Sequence, residues 1–263
     1  MPELPEVETV VRTLKPHLIG RTILHAEFHS KFVTPGDRDL IAQQLAGRTV
    51  KKIERHGKFI VIGLDRGVLV VHLGMTGKLL LDGARGKHAY GIFDLDRGTL
   101  VFDDPRQFGR IEYSDTLPAR VARLGPEPLL VSLEEFARRL KLHKTPVKSL
   151  LLNQRFLRGV GNIYADEALF RSGIHPLTVA RRIGRERAAR LHQAIVEILT
   201  LAIEHRGSSV SDYVDADGER GNFQVLHQVY GRGGEECRVC GSIIKRIEVG
   251  QRGTHYCARC QRV

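Results

Sequence analysis

The stretch CRVCGSIIKRIEVGQRGTHYCARC (237–260) contains all four cysteines of the chain, in two Cys-x2-Cys pairs separated by 16 residues. That spacing suits four thiolates around one tetrahedral Zn²⁺, each pair forming a tight knuckle. Two disulfides or four buried thiols are the alternatives, but a 263-residue chain with no export signal favours metal. Cys237, Cys240, Cys257 and Cys260 would fill every coordination position, so the expected zinc is structural. Residues 237–263 also carry six Arg and Lys against one acid, Glu248, a local charge of +5. A small metal-held hairpin of that charge is suited to gripping phosphate rather than to catalysing alone.

Working outward, a second basic block covers 138–158, with Arg138, Arg139, Lys141, Lys144, Lys148, Arg155 and Arg158 and no acid. A solvated helix face would explain either block by itself. Two in one region, in a chain with 41 Lys and Arg against 30 Asp and Glu and a net charge of +11, point to nucleic acid. Between the blocks lies Gly159-Val160-Gly161-Asn162. A dinucleotide fingerprint would need a preceding strand and a third glycine where Tyr164 stands, so that reading fails. A glycine turn offering N–H groups to a phosphate fits better, with a plain helical hairpin turn as the alternative. Helical periodicity runs from a Ser132/Glu135 capping box to about residue 206, with the longest helix over 181–205, ended by Gly207. Residues 208–223 read as a long polar loop. Its string DYVDADG is not a calcium loop, because Tyr213 stands where a ligand is required and Gln224 replaces the closing Glu.

Upstream, LGPEPL (124–129) is a Pro/Gly break that marks a domain boundary. Before it, RTILHAEF, TVKKIERH, KFIVIGL, VLVVHL, YGIFDLD, TLVFDD and RIEYS are short β-like runs separated by turn signals. With one helix near Asp39–Leu45, about eight strands read as a sandwich or barrel. Residues 2–19 have helical spacing of Val7, Val10, Val11, Leu14 and Leu18. At 42% hydrophobic and 27% charged the chain is neither disordered nor low-complexity. No run approaches the ~18 apolar residues of a membrane span, and the N-terminus lacks a signal peptide, so a cytoplasmic protein is expected. Removal of Met1 would expose the secondary amine of Pro2. Such an amine attacking a sugar carbon gives an iminium ion, a strong electron sink, with Glu3 and Glu6 at hand for proton transfer.

PELPEVE at the start, HLGMTG (72–77), DPRQFG (104–109), LGPEPL, GVGNIYADEALF (159–170) and the terminal cysteine finger occur in this order. The set resembles the bacterial formamidopyrimidine-DNA glycosylases, which remove oxidised purines, over nearly the whole chain. Leu4-Pro5-Glu6 separates it from the endonuclease VIII-like branch, which begins PEGPE and acts on oxidised pyrimidines. The resemblance implies that Pro2 is the nucleophile at C1′, Glu3 the acid that opens the sugar ring, Lys58 a proton carrier in β-elimination, and Arg252 the finger residue that binds phosphate and serves δ-elimination. It implies that Met75, Arg106 and Phe108 fill the hole left by the flipped nucleotide. His88, Lys144 and Asn162 would bind the DNA backbone, and the 208–223 loop would close over the base. Gln107 and Arg158 depart from the usual pattern.

The expected protein is α+β and multidomain: an N-terminal helix and β-sandwich (1–124), a linker (125–131), a helix–two-turns–helix domain with the loop (132–228), and a zinc finger (229–263). It would be a monomeric DNA glycosylase and abasic-site lyase acting on double-stranded DNA, with one structural Zn²⁺, no redox cofactor and no catalytic metal. A pyrimidine-specific glycosylase and a non-catalytic zinc-finger protein that binds damaged DNA are the rivals.

Overall fold

The computed structural model describes residues 1–262. The chain divides into two compact units, one of Met1–Arg123 with His205–Asn222, the other of Leu124–Glu204 with Phe223 onward.

In the first unit, helix α1 (Leu4–Leu18) starts where Glu3 is extended and Pro5 enters the first turn. A reciprocal capping box fixes this start: Glu6 reaches back to accept the Glu3 N–H at 2.8 Å. The apolar stripe of Val7, Val10, Val11, Leu14 and Leu18 is buried, which is why this segment stays helical and docked. There follow β1 (Ile23–Phe28), α2 (Arg38–Leu45, capped by Asp37 on Leu40 N–H at 3.0 Å), β2 (Val50–His56), β3 (Phe59–Leu64), β4 (Val68–His72), β5 (Lys78–Leu81), β6 (Ala89–Leu95), β7 (Thr99–Asp103), β8 (Arg110–Ser114) and the short α3 (Ala119–Ala122). The strands form two four-stranded antiparallel sheets, ordered β1-β6-β7-β5 and β2-β3-β4-β8. One core draws side chains from both sheets and α1, including Leu14, Ile60, Val71, Phe93 and Phe102. Of sandwich and barrel, the fold is the sandwich. Strand β5 was not foreseen, because KLLL has no alternation to betray it.

Segment His205–Asn222 belongs to this unit, whereas the sequence reading attached it to the helical domain. Composition made it look polar throughout, but Tyr213 and Ala216 enter the sandwich core. Leu81 N–H donates to Ala216 O at 2.9 Å, and the Tyr213 hydroxyl donates to Glu6 O at 3.1 Å. Buried Asp215 organises the tip, accepting the N–H groups of Asp217 and Glu219 at 3.0 Å and pairing with Arg206.

The second unit contains α4 (Leu133–Lys141), α5 (Val147–Leu152), α6 (Asn162–Arg171), α7 (Arg185–Glu204) and the hairpin β9 (Lys245–Val249) and β10 (Arg252–Tyr256). Ser132 caps α4, accepting Glu135 N–H at 3.2 Å, while the Glu135 carboxylate turns to Arg138. Helix α7 starts four residues later than its periodicity predicted. Ala180–Arg182 forms a single 3-10 turn, and the flexible Gly184 follows before the helix begins. The β9–β10 turn uses Gly250 (φ 58°) and Gln251 (φ 59°), the left-handed pair that a two-residue hairpin demands.

Candidate active site

Met1 is about half exposed (47%), whereas Pro2 and Glu3 are buried at the start of α1. Glu6, foreseen as a proton-transfer partner, is committed elsewhere. One carboxylate oxygen accepts Glu3 N–H and the other accepts Ser208 N–H at 2.7 Å. Gly207 permits this approach: with φ +79° it has the left-handed backbone, and a Cβ there would lie 2.7 Å from Glu6 Oε1. Glu6 thus clamps the N-terminal turn to the returning segment.

Lys58 follows Gly57 in the β2–β3 turn and is 7% exposed. Its turn is tied to α1 through Arg55, which donates to Glu8 at 2.9 Å and to Gly57 O at 3.3 Å. Burial would raise the Glu8 carboxyl, but bonds and charges from Arg12 and Arg55 outweigh it and hold the group below the usual range. Across the sheet, His72 pairs with Phe59. Burial, reinforced by the positive charges of Lys58, Arg120 and Arg110, pushes its imidazole down to about 4. Neutral His72 accepts Gly74 N–H on Nδ1 at 3.1 Å and so fixes the next loop. Nothing in HLGMTG itself marks this histidine, because its burial and its cationic neighbours come from residues distant in sequence.

The loops 72–77 and 104–109 bring together the three expected gap-filling side chains. Fully buried Asp104 accepts the Thr76 hydroxyl at 2.6 Å, Arg106 N–H at 3.3 Å and Gly109 N–H at 2.7 Å. Gly74 presses against the second loop, where a Cβ would sit 2.5 Å from Gly109 N. On this platform Met75 and Phe108 project with 41% and 53% exposure, and the Arg106 guanidinium lies 4.6 Å from the Phe108 ring centroid. Exposed apolar side chains held this firmly contrast with the core packing such residues usually serve. His88 joins the platform through its carbonyl, which accepts Asp104 N–H at 3.0 Å, and its buried Nδ1 has no partner. Gln107, with φ 54°, accepts the Ser30 hydroxyl at 2.5 Å, a structural use for one departure from the expected pattern.

In the second unit, Asn162 at the start of α6 donates from Nδ2 to Gly253 O at 3.0 Å, next to Arg252 on the hairpin. Beneath them lies an ion pair the sequence reading missed. Lys148 and Asp166, both with fully buried side chains, meet at 2.6 Å. Lys148 also donates to Thr254 Oγ1 at 2.7 Å and Gly253 O at 3.2 Å, and Asp166 accepts His255 N–H at 2.9 Å. The basic block thus holds one cation that anchors the finger hairpin to α5 and α6. Gln154 orders the glycine turn, accepting Gly159 N–H at 2.7 Å and donating to Val160 O at 2.8 Å. Arg158, the other departure, is neutralised by Glu127 at 3.0 Å. Lys144 is exposed.

The four cysteine sulfurs lie within 4.8 Å of one another, with Cys237–Cys260 at 3.9 Å and Cys240–Cys257 at 3.4 Å. Four thiolates at ~2.3 Å from a tetrahedral Zn²⁺ stand about 3.8 Å apart, so the set suits one structural zinc. Among the described residues no other His, Cys, Asp or Glu group converges in this way. No helix among them is long and apolar enough to cross a membrane.

Comparison with known proteins agrees along the whole chain. Residues 1–111 match the formamidopyrimidine-DNA glycosylase N-terminal domain, residues 124–214 the H2TH domain of the same enzymes, and residues 234–263 the zinc finger found in FPG and IleRS. A formamidopyrimidine-DNA glycosylase of Solibacter usitatus is 59% identical over 264 residues, covering 100% of both chains. The MutM (FPG) protein of Thermus thermophilus superposes with a TM-score of 0.90 at 42% identity, covering 99% of this chain and 98% of that one. A point mutant of Lactococcus lactis FPG, in complex with a Fapy-dG containing DNA, gives 0.91 at 36% identity over 100% of both chains.

Proposed function

The chain belongs to the formamidopyrimidine-DNA glycosylase family, and from that premise we propose that it excises oxidised purines from double-stranded DNA and then cleaves the abasic strand, with Pro2 as nucleophile. The observation that carries this reading is the Pro2-Glu3 start, buried and locked by Glu6 rather than left as a loose terminus. Removal of the half-exposed Met1 frees a secondary amine. An α-amino group titrates near ~7.7–8, so a neutral, nucleophilic fraction exists at neutral pH. Attack at C1′ expels the base, and the nitrogen gives up its proton. Cleavage of the C1′–O4′ bond with protonation of O4′ then leaves an iminium ion that needs no further proton loss from nitrogen. That cation draws electrons from C2′ and so drives β- and then δ-elimination.

Glu6 spends both carboxylate oxygens on backbone N–H groups, so Glu3 takes the role of acid toward the sugar ring oxygen. Lys58, close enough to His72 to depress it, serves proton transfer during elimination. His72 stays neutral and leaves that role to the lysine. A base stacked in a duplex is out of reach, so extrusion needs a filler for the gap. Met75 and Phe108 supply the apolar wedge, and Arg106 offers donors to the orphaned partner base. Arg252, carried on a hairpin that the zinc and Lys148 hold, binds the phosphates flanking the lesion. His88, Lys144 and Asn162 complete the backbone contacts, and the protein acts in the cytoplasm, where bacterial DNA lies.

Borohydride reduction in the presence of an 8-oxoguanine duplex tests the proposal. The trapped adduct should map to the N-terminal peptide, on Pro2. An adduct on a lysine, or none from protein lacking Met1, would defeat it.

A further inference from the structure

In the second unit, residues 143–148 and 175–182 run side by side. Val147 N–H donates to Thr178 O at 2.8 Å, Ala180 N–H to Thr145 O at 3.0 Å and Arg181 N–H to His143 O at 2.9 Å, while Pro146 bridges to Val179. The Thr145 and His143 carbonyls bracket Lys144, so Ala180 and Arg181 lie directly beside it. Lys141 fixes the same edge, donating from Nζ to Arg181 O at 3.1 Å and Ile183 O at 2.9 Å. The 3-10 turn Ala180–Arg182 is therefore clamped by its backbone, while the side chains of Arg181, Arg182 and Arg185 are exposed.

The charge on this strip is unbalanced. Arg138, Arg158, Arg171 and Arg190 each have a glutamate partner, namely Glu135, Glu127, Glu197 and Glu186. Lys144, Arg181, Arg182 and Arg185 have no acidic partner among the described residues. A solvated helix face intersperses both signs, as α7 does from Glu186 onward. Unneutralised cations on a clamped turn are instead the footprint of a polyanion.

We infer that Arg181 and Arg182, with Arg185 beyond them, extend the DNA-backbone grip of Lys144, so that the duplex is held at phosphates beyond those reached by the glycine turn and the finger. This rests on reading Lys144 as a DNA contact. A planar guanidinium pairs with a phosphate through two N–H groups, and contacts of this kind add affinity without reading sequence.

The affinity of the zinc-loaded protein for a long duplex carrying an abasic-site analogue should be measured by fluorescence anisotropy over about 0.05–0.4 M salt. Each phosphate contact adds ~0.9 to the slope of log K against log salt, so Arg181→Ser with Arg182→Ser should flatten it by about 1.8. Arg181→Lys with Arg182→Lys keeps the charge and should retain the slope, which separates charge loss from misfolding. Arg190→Ser, already paired with Glu186, should leave it unchanged. An unchanged slope in the double serine variant overturns the inference; if Lys144→Ser still flattens it, the reading of Lys144 stands. A slope lost equally in the lysine variant also overturns it, since charge would not be the cause.

Discussion

Lys148→Met tests whether the buried pair holds the finger hairpin. The ammonium and the Asp166 carboxylate meet at 2.6 Å with neither side chain exposed, and three further hydrogen bonds converge on them from Gly253, Thr254 and His255. A methionine fills much of the lysine's volume, so packing is largely preserved and the change falls on the charge. Breaking one partner of a buried pair strands the other, at a cost of ~3–5 kcal/mol. That is a large share of the ~5–15 kcal/mol that keeps a domain folded. Urea unfolding of zinc-loaded protein, followed by circular dichroism because the chain has no tryptophan, reads the loss. Adding Asp166→Asn removes the stranded charge while keeping an acceptor for His255 N–H, and should restore more than half of it. Affinity for abasic duplex should fall about tenfold in the single variant, since Arg252 stands next to the Gly253 and Thr254 anchors. A single-variant loss under ~1 kcal/mol, the range of a surface ion pair, would refute the reasoning.

Asp104→Ala removes the acceptor shared by Thr76, Arg106 and Gly109, so the Met75–Arg106–Phe108 platform should loosen. An unpaired buried edge costs ~1–3 kcal/mol, and cytosine offers Arg106 its O2 and N3 acceptors whereas the larger adenine lacks the equivalent carbonyl; excision opposite cytosine should therefore exceed that opposite adenine in the parent and converge in the variant. Equal parental rates in single turnover would remove Arg106 from that role. Stripping the zinc should abolish DNA binding, because the four thiolates fold the hairpin that carries Arg252, and full turnover by metal-free protein would contradict this. Stability should fall as pH drops from 6.5 toward 4. His72 and His227 are each pushed by burial to about 4, so the unfolded chain binds more protons across that window, worth up to ~3 kcal/mol per histidine. An unchanged urea midpoint between pH 7 and 4.5 would count against both.

The parts of the fold with a strong local period were legible. Helix α1 showed its apolar stripe, seven strands showed short apolar runs between turns, and the cysteine pairs showed a metal knuckle. What stayed hidden depended on partners distant in sequence. Nothing near KLLL shows that β5 pairs with β7, and nothing near Tyr213 shows that its ring enters a core built 100 residues earlier. Lys148 read as one more surface cation because its mate lies 18 residues on and its acceptors about 105 residues on. Met75, Arg106 and Phe108 were named from motif resemblance, yet the residue that unites their loops, Asp104, sat unremarked beside Arg106. Side chains that contact others advertise chemistry, whereas those that position them advertise only a polar atom in an unlikely place.

The clamp from Glu6 to Ser208 has a consequence for the order of synthesis. Translation delivers the N-terminal turn first and the segment that secures it some 200 residues later. The sandwich strands can pair as they emerge, but the turn carrying Pro2 and Glu3 lacks two of its fastenings, Ser208 N–H and the Tyr213 hydroxyl, until the helical unit has largely been made. A ribosome stalled before that point would display a folded sandwich with the Pro2–Glu3 turn unsecured. The chain is thus timed so that its N-terminal turn is fully fastened only when the helices of the second unit already exist.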